Sequence, residues 1–168
     1  MIVKIWLNEN LNPIILGEEL TENFRGLLKE LGLSDSQINS LEIEICLSEI
    51  ADFAGYYAGS KGDIYWIEIN KKLVLANSDL SKRYGGSHAF NATLIHEMAH
   101  LVCDVLEPGP KDRHGFSRRP ISGRQKEEKF CEEIAEKYAS RLILLDSFRV
   151  EHIMKFHLEW PKTQLALF

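Results

Sequence analysis

The chain has 168 residues, of which 45% are hydrophobic, and it carries a formal net charge of −5 at pH 7. This length fits one domain with a sizeable core. The acidic balance argues against general affinity for nucleic acid or membranes, and no apolar run approaches the roughly 20 residues of a membrane span. The start, MIVKIWLNEN, does not resemble a secretion signal, and three cysteines (Cys46, Cys103 and Cys131) make no disulfide framework. We therefore expect a soluble cytoplasmic protein without a membrane partner.

Hydrophobic periodicity predicts a first half rich in strands. The segment IVKIWL is typical of a short strand, and the apolar residues from Leu20 to Leu31 have helical spacing, with Thr21 as a cap and Gly32 as a stop. SLEIEICLSE alternates apolar and polar residues, which indicates a strand with one wet face. ADFAGYYAG and DIYWIEIN flank the turn-rich joint SKG and predict a hairpin.

Helical patterns fill the second half. The motif helix is predicted over 91–106 and stops at EPGP, and a second helix is predicted over 127–145. A last amphipathic helix is expected to end at Pro161. We divide this single domain, 1–168, into a strand-rich part (1–90), the motif helix (91–106), a basic loop (107–126) and a helical part (127–168). The fold class is α+β, with a small, mostly antiparallel sheet packed on the motif helix and the C-terminal helices.

The segment ATLIHEMAHLVCD carries the clearest chemistry. In a helix, His96 and His100 lie one turn apart on one face, so both imidazoles can bind one Zn²⁺ at about 2.0–2.1 Å. Glu97 points away from that line but can reach a water at the metal, and it is the candidate general base.

With HEMAH as its HExxH motif, the chain resembles the zincin metallopeptidases. The resemblance implies a zincin-like fold and a zinc-dependent endopeptidase with one Zn²⁺ ion. In such an enzyme Glu97 would take a proton from water and return it to the leaving amine. Cys103 and Leu106 stand where the metzincin extension needs Gly and His, which excludes that branch.

A third zinc ligand is needed, and the first candidate is Glu132. At about 100° per residue, Glu132 lies just beyond the edge of an apolar stripe, next to Ala139. Glu133 points towards solvent. The stripe itself consists of Phe130, Ile134, Tyr138, Leu142 and Leu145.

The same segment resembles the glutamate helix of gluzincins, in particular the minigluzincin and ImmA/IrrE-type proteases. Their pattern E-x-x-A-[N/D]-x-F-A-x-x-L-L is matched here by Glu132, Ala135, Glu136, Tyr138, Ala139, Leu142 and Ile143. The resemblance implies that Glu132 is the third ligand. Glu136, in place of the family's Asn or Asp, would orient a ligand histidine.

Two other residues remain candidates. His114 is followed by Gly115, 14 residues after His100, which is similar to the third histidine of SprT-like proteases. His114 could otherwise stabilise a developing oxyanion. Asp104 lies one turn past His100, and a supporting or solvent-facing role fits it better than ligation.

The resemblance implies a polypeptide substrate that lies along an edge strand of the hairpin, and a repressor-like protein is one candidate. A SprT-like protease on DNA is an alternative, because the 107–126 loop has six Lys/Arg against two acidic residues. A metal-binding regulator without proteolysis is another. The tail LALF could enter the cleft as a self-inhibiting segment. Cys103 and Cys131 could be redox-sensitive thiols, a fourth metal ligand or structural residues.

Overall fold

A computed structural model describes residues 1–49, 53–117 and 124–159, with the backbone alone for 124, 148 and 156–159. The strands are β1 (Ile2–Trp6), β2 (Ile14–Ile15), β3 (Glu42–Ser48), β4 (Gly55–Lys61), β5 (Ile64–Asn70) and β6 (Phe116–Ser117). The helices are α1 (Glu18–Glu30), α2 (Asp35–Asn39), α3 (Asp79–Arg83), α4 (Ala89–Leu106), α5 (Arg124–Tyr138) and α6 (Ser147–Glu159). Short 3-10 turns occur at Lys71–Val74 and Gly86–His88.

The predicted α+β class is confirmed, but the sheet is mixed rather than mostly antiparallel. Its order is β2-β1-β3-β5-β4-β6. β1, β3 and β5 run parallel, whereas β2, β4 and β6 pair antiparallel to their neighbours. Alternation along a strand reports which side chains share a face, not which strand lies beside it, so the sequence pattern did not reveal the parallel core.

One face of the sheet packs against the helices and forms part of the hydrophobic core. Alternate side chains of β1, β3 and β5 on this face are fully buried: Val3, Ile5, Ile43, Ile45, Ile67 and Ile69. They belong to one apolar cluster with side chains from α1 and α4. The predicted strands IVKIWL and SLEIEICLSE and the predicted hairpin are thereby confirmed.

The helix α1 is confirmed, and its predicted stop is correct, because Gly32 follows its last residues with φ 112°. The predicted cap is wrong. Gly17 is the N-cap, and the hydroxyl of Thr21 donates instead to the carbonyl of Leu16 at 3.3 Å. The helix therefore begins before Thr21, inside a segment that the apolar spacing did not cover.

The motif helix α4 runs through the centre of the protein. It lies against β4 and β5 on one side and against α5 on another. It begins at Ala89, ends at Leu106 directly before EPGP as predicted, and is buried along most of its length. A helix that is apolar on nearly all sides is typical of a core position.

A β-bulge distorts β4 beside α4. The register with β5 shifts between Tyr57 and Gly59. Gly59 has φ 115°, and a Cβ there would lie 2.4 Å from the carbonyl oxygen of Ser117. Only glycine therefore allows β6 to approach the bulged strand this closely.

The helix α5 begins at Arg124, inside the predicted basic loop, and it ends at Tyr138 instead of Leu145. The buried side chain of Asn91 on α4 bonds the segment that follows. Its Nδ2 donates to the carbonyls of Ala139 and Leu142 at 3.0 and 2.6 Å, and its Oδ1 accepts from the N–H of Leu144 at 2.9 Å. These bonds replace the helical ones that the chain gives up at this point.

The last helix, α6, buries Val150 and Ile153, as its spacing predicted. Pro161, the tail LALF and the residues Arg118 and Arg119 of the basic loop lie outside the described residues. Within the described ranges, no helix has both the length and the apolarity that crossing a bilayer requires.

Candidate metal centre

His96 and His100 face the same side of α4, as their spacing predicted. Their ring centroids are 5.1 Å apart. The side chain of His96 is 20% exposed and that of His100 is 7% exposed, so the pair lies at the edge of the core.

The carboxylate of Glu128, on α5, meets both imidazoles. Its Oε2 lies 3.2 Å from Nε2 of His96, and its Oε1 lies 2.9 Å from Nε2 of His100. One ligand atom from each of the three residues lies within 4.8 Å of the other two. His96, His100 and Glu128 could therefore hold a metal ion.

The sequence pattern placed the carboxylate one turn too far along α5. Glu132 is exposed, and it does not belong to the converging group found among the described residues. Of the predicted apolar stripe, Ile134, Tyr138 and Leu142 pack against the core and Leu145 is buried, but Phe130 is 38% exposed. One turn before Ile134 and Ala135, the face of α5 that turns towards α4 carries the fully buried Cys131, and Glu128 lies beside it.

The alternative ligand His114 and the predicted orienting residue Glu136 lie elsewhere. His114 is exposed in the turn before β6, where its backbone N–H donates to Asp112 and its ring accepts a hydrogen bond from Nε of Arg113 at 3.1 Å. Glu136 is exposed on α5, two turns beyond Glu128. Neither residue belongs to the group that surrounds the two histidines within the described part of the chain.

Glu127 contacts the ring nitrogen of His100 that lies on the side away from Glu128. Its Oε2 lies 2.9 Å from Nδ1 of His100, and its side chain is 13% exposed. With a proton on Nδ1, His100 donates to this carboxylate and turns the lone pair of Nε2 towards Glu128. The sequence analysis missed this residue. The only signal was the adjacent pair Glu127 and Glu128, which reads as an ordinary acidic helix start.

The electrostatics around His96 favour a neutral ring. Burial and the proximity of His100 lower the pKa of His96, and the carboxylate of Glu128 opposes this shift. A neutral imidazole is the form that binds a metal ion.

Glu97 lies beside the converging group. Its side chain is buried, and its Oε1 is 4.0 Å from Nε2 of His96. A buried carboxylate at this distance can accept a proton from a water molecule bound next to His96.

Asp104, on α4, forms hydrogen bonds with the bulged strand β4. It is 2% exposed, and its Oδ2 accepts hydrogen bonds from the hydroxyls of Tyr57 at 2.5 Å and Ser60 at 3.1 Å. Burial, followed by the bond to Asp104, raises the pKa of Tyr57. Asp104 thus fixes β4 against α4 one turn beyond His100.

Comparisons of the chain with protein-family models, with curated proteins and with solved structures return no match. Function therefore has to be inferred from the geometry of His96, His100 and Glu128 and from their neighbours.

Proposed function

We propose that this protein is a zinc-dependent endopeptidase, in which His96, His100 and Glu128 hold the ion and Glu97 is the general base. The observation that carries the proposal is the meeting of both imidazole Nε2 atoms with one carboxylate, directly beside a second, buried carboxylate.

The donor set fits a catalytic rather than a structural zinc site. Two imidazoles and one carboxylate are three protein donors, which leaves room for water or substrate. The side chain of Glu128 is 39% exposed, so the group is not sealed inside the core. A bound zinc ion would supply the Lewis acidity that makes water nucleophilic at neutral pH.

Glu97 supplies the proton transfers that peptide hydrolysis needs. Its carboxylate would take one proton from water as the oxygen attacks the peptide carbonyl. It would then give that proton to the amide nitrogen as the C–N bond breaks, which yields a carboxylic acid and an amine. Burial between α4 and its neighbours holds the carboxylate in place for both steps.

The edge of β4 offers a place for an extended polypeptide. Within the described residues β6 pairs with β4 at Ser60 and Lys61, and the first part of β4, from Gly55 to Tyr57, borders no other described strand on that side. Asp104 holds this strand against the motif helix. Binding by strand addition takes most of its affinity from backbone hydrogen bonds, which suits a polypeptide substrate, and a repressor-like protein is one candidate.

The proposal agrees with the resemblance of HEMAH to the zincin motif, with Glu128 in the place predicted for Glu132. The alternative is a regulator that binds a metal ion without cleaving peptides. Glu97 distinguishes the two functions, because a site that only stores or senses metal has no use for a buried base next to it.

The deciding experiment compares wild type with Glu97→Gln. Both proteins are loaded with zinc, assayed for bound metal by mass spectrometry, and incubated with a mixture of random-sequence peptides. We expect equal zinc content and a loss of cleavage rate of about 10²- to 10⁴-fold in the variant. Cleavage that survives the substitution would refute the role of Glu97. A zinc-loaded wild type that cleaves no peptide would favour the regulator.

A further inference from the structure

Two cysteines lie next to the candidate metal site, one on each of its two helices. Cys103 follows His100 by three residues on α4, and Cys131 follows Glu128 by three residues on α5. Residues three apart on a helix lie on the same face. Each cysteine therefore lies on the face of its helix that carries a residue of the candidate site.

The two thiols touch across the helix pair. The side chains of Cys103 and Cys131 are hydrogen-bonded to each other, and this bond and burial raise the pKa of Cys131. Cys131 is fully buried, whereas Cys103 is partly exposed. Its exposure makes Cys103 the thiol that an oxidant from solvent reaches first, whereas burial and the raised pKa make Cys131 the slower to oxidise. Cys131 is in contact with the sulfur of Cys103 and can react with it once Cys103 is oxidised.

We propose that Cys103 and Cys131 are a disulfide-forming pair that links α4 to α5 next to the metal group. This modification site is independent of the proposed peptidase activity, since it requires only that the two thiols meet. The third cysteine, Cys46, lies on β3 and serves as an internal control.

The chemistry requires a peroxide as oxidant. The sulfur of Cys103 attacks one peroxide oxygen, and the O–O bond breaks. With hydrogen peroxide this step gives a sulfenic acid and one water. The sulfur of Cys131 then attacks the sulfur of Cys103, the S–S bond forms, the S–O bond breaks, and a second water leaves with the remaining proton. Two thiols and one peroxide thus become one disulfide and two waters, and a small dithiol reverses the reaction.

The bond would close a loop that contains the whole basic segment, because residues 107–126 lie between the two cysteines. Closing such a loop restricts the unfolded chain. The oxidised protein should therefore unfold at a higher temperature than the reduced protein, and a dithiol reductant should abolish the difference. In a reducing compartment such a bond would be transient and responsive to oxidant.

The test treats full-length protein with hydrogen peroxide and measures intact mass and peptide maps. We expect the wild type and Cys46→Ser to lose the mass of two hydrogen atoms and to yield one cross-linked peptide pair that joins Cys103 to Cys131. Cys103→Ser and Cys131→Ala should not yield it. The wild-type peptide map decides the matter even if a variant folds poorly. A cross-link that includes Cys46, oxygen adducts on Cys103 without a cross-link, or an unchanged mass would each overturn the proposal.

Discussion

His100 lies between two carboxylates that are adjacent in sequence: its Nδ1 is 2.9 Å from Glu127 and its Nε2 is 2.9 Å from Glu128. The helix α5 thus supplies both a candidate ligand, Glu128, and the carboxylate that orients His100, Glu127. When the proton between His100 and Glu127 is on Nδ1, Nε2 is the nitrogen that can bind a cation.

Replacing Glu127 by glutamine should weaken metal binding without removing a ligand. The amide is a poorer acceptor than the carboxylate, so His100 loses part of its basicity and its fixed orientation. We expect zinc affinity to fall about 10- to 100-fold, measured by competition with a chromophoric chelator. Glu133→Gln, at an exposed position of the same helix, is the matched control. Equal affinities in the two variants would contradict the role of Glu127.

Glu128→Ala and Glu132→Ala should separate the structural assignment from the sequence-based one. The carboxylate of Glu128 meets both imidazoles, whereas Glu132 lies one turn away and is exposed. We expect Glu128→Ala to lose most of its bound zinc after dialysis and Glu132→Ala to retain it, as measured by elemental analysis. Loss of zinc from Glu132→Ala but not from Glu128→Ala would instead identify Glu132 as the third ligand.

Asn91→Ala should destabilise the fold by about 3 kcal/mol, because it leaves one buried and two partly buried backbone groups without their hydrogen bonds. Asn23→Ala is the control, since Asn23 also donates to a carbonyl of this segment, that of Ile143 at 3.3 Å, but on the surface. Urea unfolding followed by circular dichroism measures both variants. Similar losses of stability would show that the buried bonds add nothing.

Asp104→Asn should lower the pKa of Tyr57. The carboxylate binds the neutral hydroxyl and repels the tyrosinate, so Asp104 helps to keep Tyr57 protonated as the pH rises. With the charge removed, tyrosinate absorbance should appear at lower pH than in wild type. Tyr57→Phe in each background isolates the signal of this residue. An unchanged titration would mean that burial alone sets the pKa.

The sequence predicted the individual strands and helices well, but it did not predict which strands lie next to one another in the sheet. The alternation of Leu41, Ile43, Ile45 and Leu47 was enough to identify β3 and its buried face. The parallel pairing of β3 with β1 and β5 depends on which helices cross over the sheet, and no local pattern contains that information.

At the site, the two histidines and Glu97 were predictable because their positions follow from helical spacing alone. Placing the candidate third ligand required knowing which turn of α5 lies level with the two histidines. Glu128 and Glu132 lie one turn apart on nearly the same face of α5, so helical spacing alone could not choose between them. The choice depends on how the two helices are aligned along each other, and the periodicity of α5 does not contain that information.

The central position of α4 has a consequence for how the protein opens. Amide hydrogens in a helix that is covered on most sides exchange with deuterium only when the surrounding structure comes apart. The backbone of His96, Glu97 and His100 should therefore exchange as slowly as the most protected amides of β3 and β5. Local unfolding at the chain ends would leave the side chains of His96, Glu97 and His100 in their relative positions until the whole molecule unfolds.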